Sequence, residues 1–313
     1  MKKIRIILTA LLAFATLSAY ADELPGGGTL KNPYTISSKG QWNTFIENLT
    51  DGETSYKGKY IRLMADITVT QFVDDGEIDH YSSFKGIFDG NGHSITLNYK
   101  ARQVSDHSWN DYVAPFRYAE DATIMNLHVK GEIDAKNVST SGGVIGRAKG
   151  YNRIINCRSS LTLHAHDVKN IGGFVGRVQD DGTTEIINCL FDGIISDDPD
   201  ESGGFVGWAA SDSHLYILNS LFAPTELKDD DSSNTFFRKK TSASAILANC
   251  YYKTVWHDKP QTDHGAIDAR TMSDTELLRG LVADGIGKAT NWSRISLIST
   301  PIWWVPARRR VLI

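Results

Sequence analysis

The sequence lacks the features that mark many well-characterised classes of protein. It contains no Gly-x-Ser-x-Gly nucleophile motif, no phosphate-binding loop and no dinucleotide-binding fingerprint. After its first 21 residues, no stretch approaches the ~20 apolar residues that a membrane-spanning helix needs. The formal charge is −4, and a protein of that sign has no electrostatic footprint for nucleic acid. These absences disfavour several enzyme classes, a transmembrane protein and a nucleic-acid-binding protein.

Cysteine is scarce, with three residues in the chain: Cys157, Cys189 and Cys250. An odd number in an exported protein permits one disulfide and one free thiol. Each cysteine follows an asparagine that recurs at a nearly constant interval, so the three thiols occupy one place in successive repeats. A single column cannot surround a zinc ion from several directions. We therefore predict buried thiols that pack as small apolar side chains.

Residues 1–21 have the pattern of a secretory signal peptide. Three basic residues lie within the first five positions, an apolar run covers 6–17, and Ala19-Tyr20-Ala21 supplies a small-x-small cleavage site. Cleavage there removes three positive charges and changes the formal charge from −4 to −7. We predict an exported protein that is extracellular, on the outer surface or in the periplasm of a bacterium.

Two phrases recur with a period of about 30 residues. A glycine phrase reads Ser-Gly-Gly-Val-Ile-Gly-Arg at 141–147, Ile-Gly-Gly-Phe-Val-Gly-Arg at 171–177 and Ser-Gly-Gly-Phe-Val-Gly-Trp at 202–208. An asparagine phrase keeps the same period, with intervals of 30 to 32 residues. Two independent markers with one period indicate a repeat architecture. The recurring residues are Asn126, Asn156, Asn188, Asn219 and Asn249, and the glycine pairs Gly142, Gly143, Gly172, Gly173, Gly203 and Gly204.

The content of each repeat predicts an all-β solenoid. Short β-type runs are separated by Gly, Asp, Asn and Ser, and no stretch has the length and spacing of a helix. Propeller blades are longer, at ~40–50 residues, and leucine-rich repeats are shorter. We predict a parallel β-helix in which coils of about 30 residues stack at ~4.8 Å. The asparagines would then form a hydrogen-bonded ladder, and the glycine pairs would turn the backbone at a corner.

Short helices are predicted at both ends of the array. Apolar residues at helical spacing from Trp42 to Leu49 indicate a capping helix within an N-terminal cap, 22–59. The β-helix is predicted over 60–265. Ser273-x-x-Glu276 is a capping box and starts a second short helix in a C-terminal cap, 266–313, which ends in a basic tail.

The glycine phrases with their following Ile-Asn-Cys resemble the GLUG motif repeat of bacterial surface proteins. The stretches Pro33-Tyr34-x-Ile36 and Phe84-x-Gly86-x-Phe88-Asp89-Gly90-Asn91-Gly92-His93, and the closing region 270–292, are similar to that family as well. The resemblance implies a right-handed parallel β-helix on an exported protein, often from gut Bacteroidetes, with adhesion commonly supposed. The motif also occurs beside the catalytic domain of zinc metallopeptidases that cleave immunoglobulin A. Their His-Glu-x-x-His motif is absent here, so that activity does not carry over.

Acidic turns are candidates for a calcium site. They fall at similar offsets after neighbouring asparagines, so the sequence predicts an acidic ridge along one side of the solenoid. Carboxylate oxygens suit calcium, although solvated turns are the alternative interpretation. No other cofactor is expected. The candidate calcium ligands are Asp197, Asp198, Asp200, Asp230 and Asp231.

Aromatic and imidazole groups offer two further candidates. Tyr251, Tyr252 and Trp256 follow the last marker asparagine and are candidates for stacking on sugars, with core or cap packing as the alternative. His164 and His166 are predicted on the outer face of one strand, where zinc would need a third ligand, so surface histidines are the preferred interpretation.

The sequence favours a non-catalytic exported β-helix that acts as an adhesin or binding module for a glycan or a host extracellular protein. The alternative is a carbohydrate-active enzyme, either a polysaccharide lyase or a hydrolase. Such enzymes need paired carboxylates in a groove, or calcium with a basic residue. A second alternative is a structural surface spacer. No transmembrane segment and no nucleic-acid partner are expected, and we expect a monomer.

Overall fold

The structure, a computed structural model, describes residues 24–50, 54–70, 83–100, 112–134, 139–165 and 168–283. The predicted signal peptide, the basic tail and His166 lie outside these residues. The described chain is a parallel β-solenoid of about 6 turns with two short helices, which confirms the predicted β-helix. No helix in the described ranges is long and apolar enough to cross a membrane.

Sheet 1 contains eight parallel strands, each paired with the equivalent strand of the next coil. Ile154, for example, lies opposite Ile124 in the preceding coil and Ile186 in the following one, and all three are fully buried. The strands are β1 (Tyr34–Ile36), β2 (Tyr60–Leu63), β4 (Ile87–Asp89), β8 (Thr123–Met125), β12 (Tyr151–Ile155), β16 (Thr183–Ile187), β20 (His214–Leu218) and β24 (Ser244–Ala248).

Sheet 2 contains ten parallel strands, including the 8-residue strand Arg158–Ala165. Later coils interrupt this strand, so that two shorter strands replace one. The strands are β3 (Ile67–Val69), β5 (Ser94–Lys100), β9 (His128–Asp134), β13 (Arg158–Ala165), β17 (Leu190–Phe191), β18 (Ile194–Asp197), β21 (Leu221–Phe222), β22 (Glu226–Leu227), β25 (Cys250–Tyr252) and β26 (Ala266–Asp268).

Sheets 3 and 4 are formed by the glycine phrases and complete each coil. The paired glycines separate the two sheets, because β10 ends at the first glycine of the phrase and β11 begins two residues after the second. Sheet 3 contains β7 (Phe116–Glu120), β11 (Ile145–Lys149), β15 (Val175–Val178), β19 (Val206–Ala209) and β23 (Phe237–Lys239). Sheet 4 contains β6 (Tyr112–Val113), β10 (Thr140–Gly142) and β14 (Ile171–Gly172).

The core is a set of apolar columns that run along the solenoid. Alternate residues of each strand point inward, and equivalent positions in successive coils stack directly. Phe205 lies between Phe174 and Phe236, with ring centroids 4.9 and 5.4 Å apart. All three rings are fully buried. Burial of one such side chain contributes about 1.5–3 kcal/mol, so these columns are a main source of stability.

Helix α1 (Lys39–Thr50) packs against the first coils. Trp42 and Phe45 are fully buried, and the Trp42 ring meets the rings of Phe88 and Phe116 edge-on, at 6.1 Å in each case. The Ser38 hydroxyl accepts a hydrogen bond from the Gln41 N–H at the start of the helix. The apolar face of α1 therefore packs on the aromatic core of the early coils.

Helix α2 (Asp274–Ala283) begins with the capping box that the sequence predicts. The Ser273 N–H donates to Glu276 Oε2 at 2.8 Å, and the Glu276 N–H donates to Ser273 Oγ at 3.3 Å. The helix does not extend the main core, because Leu277 and Leu281 belong to a separate cluster on the outer face of sheet 2. The residues they meet there are Leu190, Leu221 and Tyr251.

Candidate functional site

The marker asparagines form a continuous ladder between sheets 1 and 2. Each side-chain amide donates to the amide oxygen of the preceding coil, with N–O distances of 3.2 Å from Asn156 and from Asn188 and 2.5 Å from Asn249. Asn219 donates to Asn188 in the same way. All five asparagines have φ between 50 and 55°, a left-handed conformation that asparagine tolerates better than most residues.

Both ends of the ladder are bonded. Asn126 Nδ2 donates to Asp89 Oδ1 at 2.9 Å, and Arg62 Nε donates to the other oxygen of that carboxylate at 3.1 Å. At the opposite end, Asn249 Nδ2 also donates to the Gly280 carbonyl in α2 at 3.0 Å. The asparagines therefore tie coil to coil, and each of the five side-chain amides donates at least one hydrogen bond within the protein.

The glycine pairs allow close backbone approach. A Cβ at Gly142 would lie 2.0 Å from the Ile145 carbonyl oxygen of its own coil, and a Cβ at Gly143 would lie 2.0 Å from the Gly173 oxygen of the next coil. The pairs at 172–173 and 203–204 make the same kind of contact, at 2.0 to 2.4 Å. Any side chain at these positions would push the coils apart, so the glycines serve packing.

The three cysteines are free and buried, and they lie on the inner side of the ladder. Cys189 Sγ donates to the Ile154 carbonyl of the preceding coil at 3.6 Å, and Cys250 Sγ donates to the Ile217 carbonyl at 3.0 Å. Burial raises the pKa of the Cys250 thiol to about 12 and the pKa of Cys189 well above its usual value. These thiols are therefore protonated and poor nucleophiles at neutral pH.

The structure gives several of the acidic-turn carboxylates partners within the protein. Asp200 Oδ1 accepts from Ser232 Oγ at 3.1 Å, and Asp197 Oδ2 lies 2.9 Å from His164 Nδ1. Burial acts to raise the pKa of Asp230, but hydrogen bonds from the Ser233 and Ser232 hydroxyls outweigh it, so that pKa lies below its ordinary value.

No calcium-like arrangement is evident at those turns. The Asp198 carboxylate accepts no side-chain hydrogen bond from another described residue, and the Asp231 backbone carbonyl accepts a hydrogen bond from Lys259 Nζ. Across the described ranges, no group of three or more His, Cys, Asp or Glu side chains is placed to hold a metal ion. Calcium binding at these carboxylates stays a prediction.

The predicted sugar-stacking aromatics are packed inside the protein. Trp256 is fully buried, Tyr252 is 2% exposed and Tyr251 is 6% exposed. The Tyr251 ring lies so close to α2 that a Cβ at Gly280 would be 2.2 Å from its hydroxyl oxygen. Tyr252 packs in the main core. The packing alternative therefore describes these three residues, because a face that stacks on sugar must reach solvent.

His164 has the partners of a catalytic triad in the wrong geometry. Its Nδ1 lies 2.9 Å from Asp197 Oδ2 and 3.1 Å from Ser196 Oγ, so the acid and the hydroxyl meet the same ring nitrogen. Its Nε2 is 4.0 Å from Glu132 Oε2. A triad histidine takes the proton of a hydroxyl group at one ring nitrogen, while a carboxylate bound to the other nitrogen orients the ring and stabilises its charged form. This cluster cannot do so as arranged.

Another surface, which we call the arginine–aromatic column, lies on the outer face of sheet 3. Strand register places Arg147 opposite Tyr118 in the preceding coil and opposite Arg177 in the next, and Arg177 lies opposite Trp208. Tyr112 of sheet 4 lies beside them, with Arg147 Cζ 5.8 Å from its ring centroid. The column therefore comprises two arginines in line with aromatic rings on both sides.

The two arginines of this column lack acidic partners. Arg147 Nε donates to the neutral Gln179 Oε1 at 2.8 Å, and Arg177 Nε is buried without a hydrogen-bond partner among the described residues. Neither guanidinium has a carboxylate within ion-pair distance in the described part of the chain. At the far end, Arg238 covers the Trp208 ring at 4.9 Å. The column thus presents positive charge and the half-buried rings of Tyr112 and Trp208, while Tyr118 is buried.

Sequence analysis identified the glycine phrase but missed this surface. Its seventh position is Arg147, Arg177 and then Trp208. The next residue in each coil, Ala148, Val178 or Ala209, is fully buried, and the strand period of two puts the seventh position on the opposite face. The signal was present in the repeat alignment. The aromatic neighbour Tyr112 was not detectable, because it comes from a different sheet.

Comparisons with known proteins agree with this fold. A crystal structure of a proposed immunoglobulin A1 protease from Bacteroides ovatus matches with a TM-score of 0.53 and 19% sequence identity, over 82% of this chain and 89% of that chain. At that identity the match shows a shared β-solenoid fold alone. No family model and no curated protein matches the sequence.

Proposed function

We propose that this chain is an exported, non-catalytic binding protein that holds a glycan on the outer face of sheet 3. The arginine–aromatic column carries this proposal. A sugar ring has apolar faces that pack on aromatic rings and hydroxyl groups that accept hydrogen bonds from guanidinium groups. The half-buried rings of Tyr112 and Trp208, beside two arginines that form no ion pair with a described carboxylate, supply both kinds of contact.

Export and surface location are part of the same proposal. The pattern of residues 1–21 supports secretion, and the recurring glycine and asparagine phrases support membership of the GLUG-motif repeat proteins of bacterial surfaces. In that setting, glycan binding amounts to adhesion. N-terminal sequencing of the secreted protein tests the cleavage site. A chain that begins at Asp22 would support it, and a chain that retains Met1 would contradict it.

Two other faces are less suited to binding. The ladder asparagines bond to one another, and the outer face of sheet 2 is partly covered by α2. The His164 cluster does not have the geometry of a catalytic triad, because Asp197 and Ser196 both contact the same ring nitrogen. Sheet 3 retains the unpartnered donors, and function follows the site rather than the fold.

The test is binding of the purified exported chain to an array of glycans and extracellular matrix proteins. We expect reproducible, competable binding to a glycan, and Trp208→Ala is expected to weaken it about fivefold, because the ring supplies stacking worth about 1 kcal/mol. Tyr151→Ala is the matched control. Its side chain is 46% exposed and lies on sheet 1, away from the column.

Thermal unfolding of each variant would separate lost binding from lost structure. An array with no reproducible glycan binding would contradict the proposal. So would equal loss of affinity in the Trp208 and Tyr151 variants, because the proposed site contains only one of these rings.

A further inference from the structure

We propose that Arg147 and Arg177 together bind an oxyanion of the ligand, so that the glycan is an acidic one. This inference rests on the proposed function and specifies its substrate class. Three observations support it: most other described arginines form ion pairs with acids, these two lie opposite each other in adjacent strands, and aromatic rings lie beside them.

Most other arginines in the described ranges pair with an acid. Five arginines in the described ranges form an ion pair with a carboxylate, and Arg147 and Arg177 do not. Arg147 meets only a neutral amide oxygen at Gln179, and the buried Nε of Arg177 meets no acceptor among the described residues. The paired set is Arg62–Asp89, Arg153–Glu185, Arg158–Asp192, Arg238–Glu201 and Arg270–Asp268.

The spacing of the two arginines adds a second argument. Register places them directly opposite each other in adjacent parallel strands, which lie ~4.8 Å apart. Like charges in that position repel each other. On sheet 1 the arginine at a facing position has an acidic neighbour instead. Arg153 lies opposite Glu185 and donates a hydrogen bond to it at 3.1 Å, so its charge is balanced within the protein. On sheet 3 an anion from outside would provide the same relief.

Two described acids on or beside sheet 3, Glu120 and Glu201, are paired with other cations. Glu120, one strand position beyond Tyr118, is 3.0 Å from Lys85 Nζ and 3.6 Å from Lys149 Nζ. Glu201 pairs with Arg238. Among the described residues, Glu120 and Glu201 thus already have cationic partners, although the whole chain is acidic at −4.

The aromatic flanks distinguish a sugar acid from a simple anion. Trp208 lies opposite Arg177 and Tyr112 lies beside Arg147, and both rings are partly exposed, whereas Tyr118 is buried. A planar guanidinium binds a carboxylate or a sulfate through two parallel hydrogen bonds. Rings on both sides of that charge fit a ligand whose acidic group is attached to a sugar ring.

The experiment compares a polymer of uronic acid with the same polymer after its carboxyl groups have been reduced to alcohols. A sulfated neutral glycan is the third probe, since a sulfate presents the same chemistry from another source. We expect the acidic polymer to bind at least about tenfold more tightly than the reduced one, and its affinity to fall as salt rises. Tight binding of the sulfated glycan would support the oxyanion with sulfate as its source.

Variants assign that preference to the column. Arg177→Gln is expected to weaken binding of the acidic polymer about 10- to 100-fold, and Arg177→Lys to restore part of it, because lysine keeps the charge without the planar fork. Arg153→Gln, which alters a paired arginine on sheet 1, is the matched control and should bind as the unaltered chain does. Loss of binding in that control would overturn the assignment.

The outcomes separate this inference from the proposed function. Equal binding of the acidic and reduced polymers, lost in Trp208→Ala and kept in Arg177→Gln, would overturn the acidic inference and leave glycan binding intact. If no polymer binds, thermal unfolding with free glucuronate decides the matter. If glucuronate stabilises the unaltered chain but not Arg177→Gln, the oxyanion site is supported without the glycan-binding function. If it stabilises neither, both the oxyanion site and the proposed glycan binding are overturned.

Discussion

Arg158 on sheet 2 and Arg177 on sheet 3 both point outward from the solenoid, yet their surroundings are opposite. The Arg158 side chain is 7% exposed, and its Nε donates to both Asp192 oxygens at 3.1 and 3.0 Å. Ser160 Oγ donates to the same carboxylate at 2.5 Å. Arg177 has no such partner in the described ranges. One face uses an arginine to join coils, and the other leaves an arginine available to a ligand.

The difference arises from the residue one coil further on. Asp192 follows β17 and faces Arg158 across the coil boundary, whereas Trp208 faces Arg177. A satisfied buried pair resists disruption, because removal of one partner leaves a desolvated charge. An arginine without an acidic partner contributes little to the free energy of folding. The desolvation cost of its guanidinium group is offset when a ligand anion binds. Four changes test this comparison, from the largest expected effect to the smallest.

Asp192→Ala should be the most damaging change. It leaves the guanidinium of Arg158 nearly buried without an acid, and we expect the free energy of unfolding to fall by about 3 kcal/mol. Urea unfolding followed by circular dichroism measures this. The double variant Arg158→Met, Asp192→Leu removes both charges and should recover most of the loss. A loss below about 1 kcal/mol in the single variant would show that the pair is not structural.

Asn219→Ala tests the neutral ladder beside the charged pair. The change removes the bond to Asn188 and the one accepted from Asn249, and it forces alanine to adopt φ 50°. We expect a loss of about 2–3 kcal/mol. Asn219→Gly keeps the conformation accessible and should recover about 1 kcal/mol of it. Equal stability of the alanine and glycine variants would exclude a conformational contribution.

His128 should make the sheet 2 network sensitive to acid. Burial, with further contributions from Arg158 and Lys130, lowers the pKa of His128 to about 3 from an ordinary 6.5. The unfolded chain therefore binds the proton more readily, and stability should fall as pH drops from 6.5 towards 3, by at most about 1.4 kcal/mol per pH unit.

The measurement is urea unfolding at a series of pH values. His128→Gln should flatten the slope in this window, while His214→Gln, at an exposed position, should leave it unchanged. The lowered pKa of Asp230 acts below 3.8, outside most of the window. A slope that persists in the His128 variant would assign the acid sensitivity to another group.

Arg177→Gln should have the smallest effect on folding. Since this arginine has no acidic partner to lose, we expect its free energy of unfolding to stay within about 0.5 kcal/mol of the unaltered chain. The same urea titration supplies the measurement. A loss comparable to that of Asp192→Ala would mean that Arg177 has a structural role and would remove the contrast between the two faces.

Several structural features could be predicted from the sequence because they repeat. The period of about 30 residues required equivalent positions to stack, so the asparagines had to meet one another in adjacent coils. The capping box at Ser273 was equally legible, since it depends on residues three positions apart. The ends of the ladder at Asp89 and Gly280 were not, because each lies outside the repeated phrase.

For Tyr251, Tyr252 and Trp256 the sequence left two interpretations open, sugar stacking and core or cap packing, and the structure shows that all three are buried. Tyr251 points outward from β25, and it is buried because α2 packs over it. A helix some 25 residues further along the chain decides this exposure. A cluster of aromatics can therefore belong to a binding surface or to an interior depending on a contact that no local pattern encodes.

The sequence by itself determined the period, and the period determined a stack of parallel coils with asparagine and glycine columns. Only the tertiary structure decided which columns are satisfied. Side chains alternate between the two faces of a strand, and the corner before each strand sets the phase, so a shift of one residue would exchange inside and outside. Whether Arg158 meets an acid while Arg177 meets a ring depends on that register between coils.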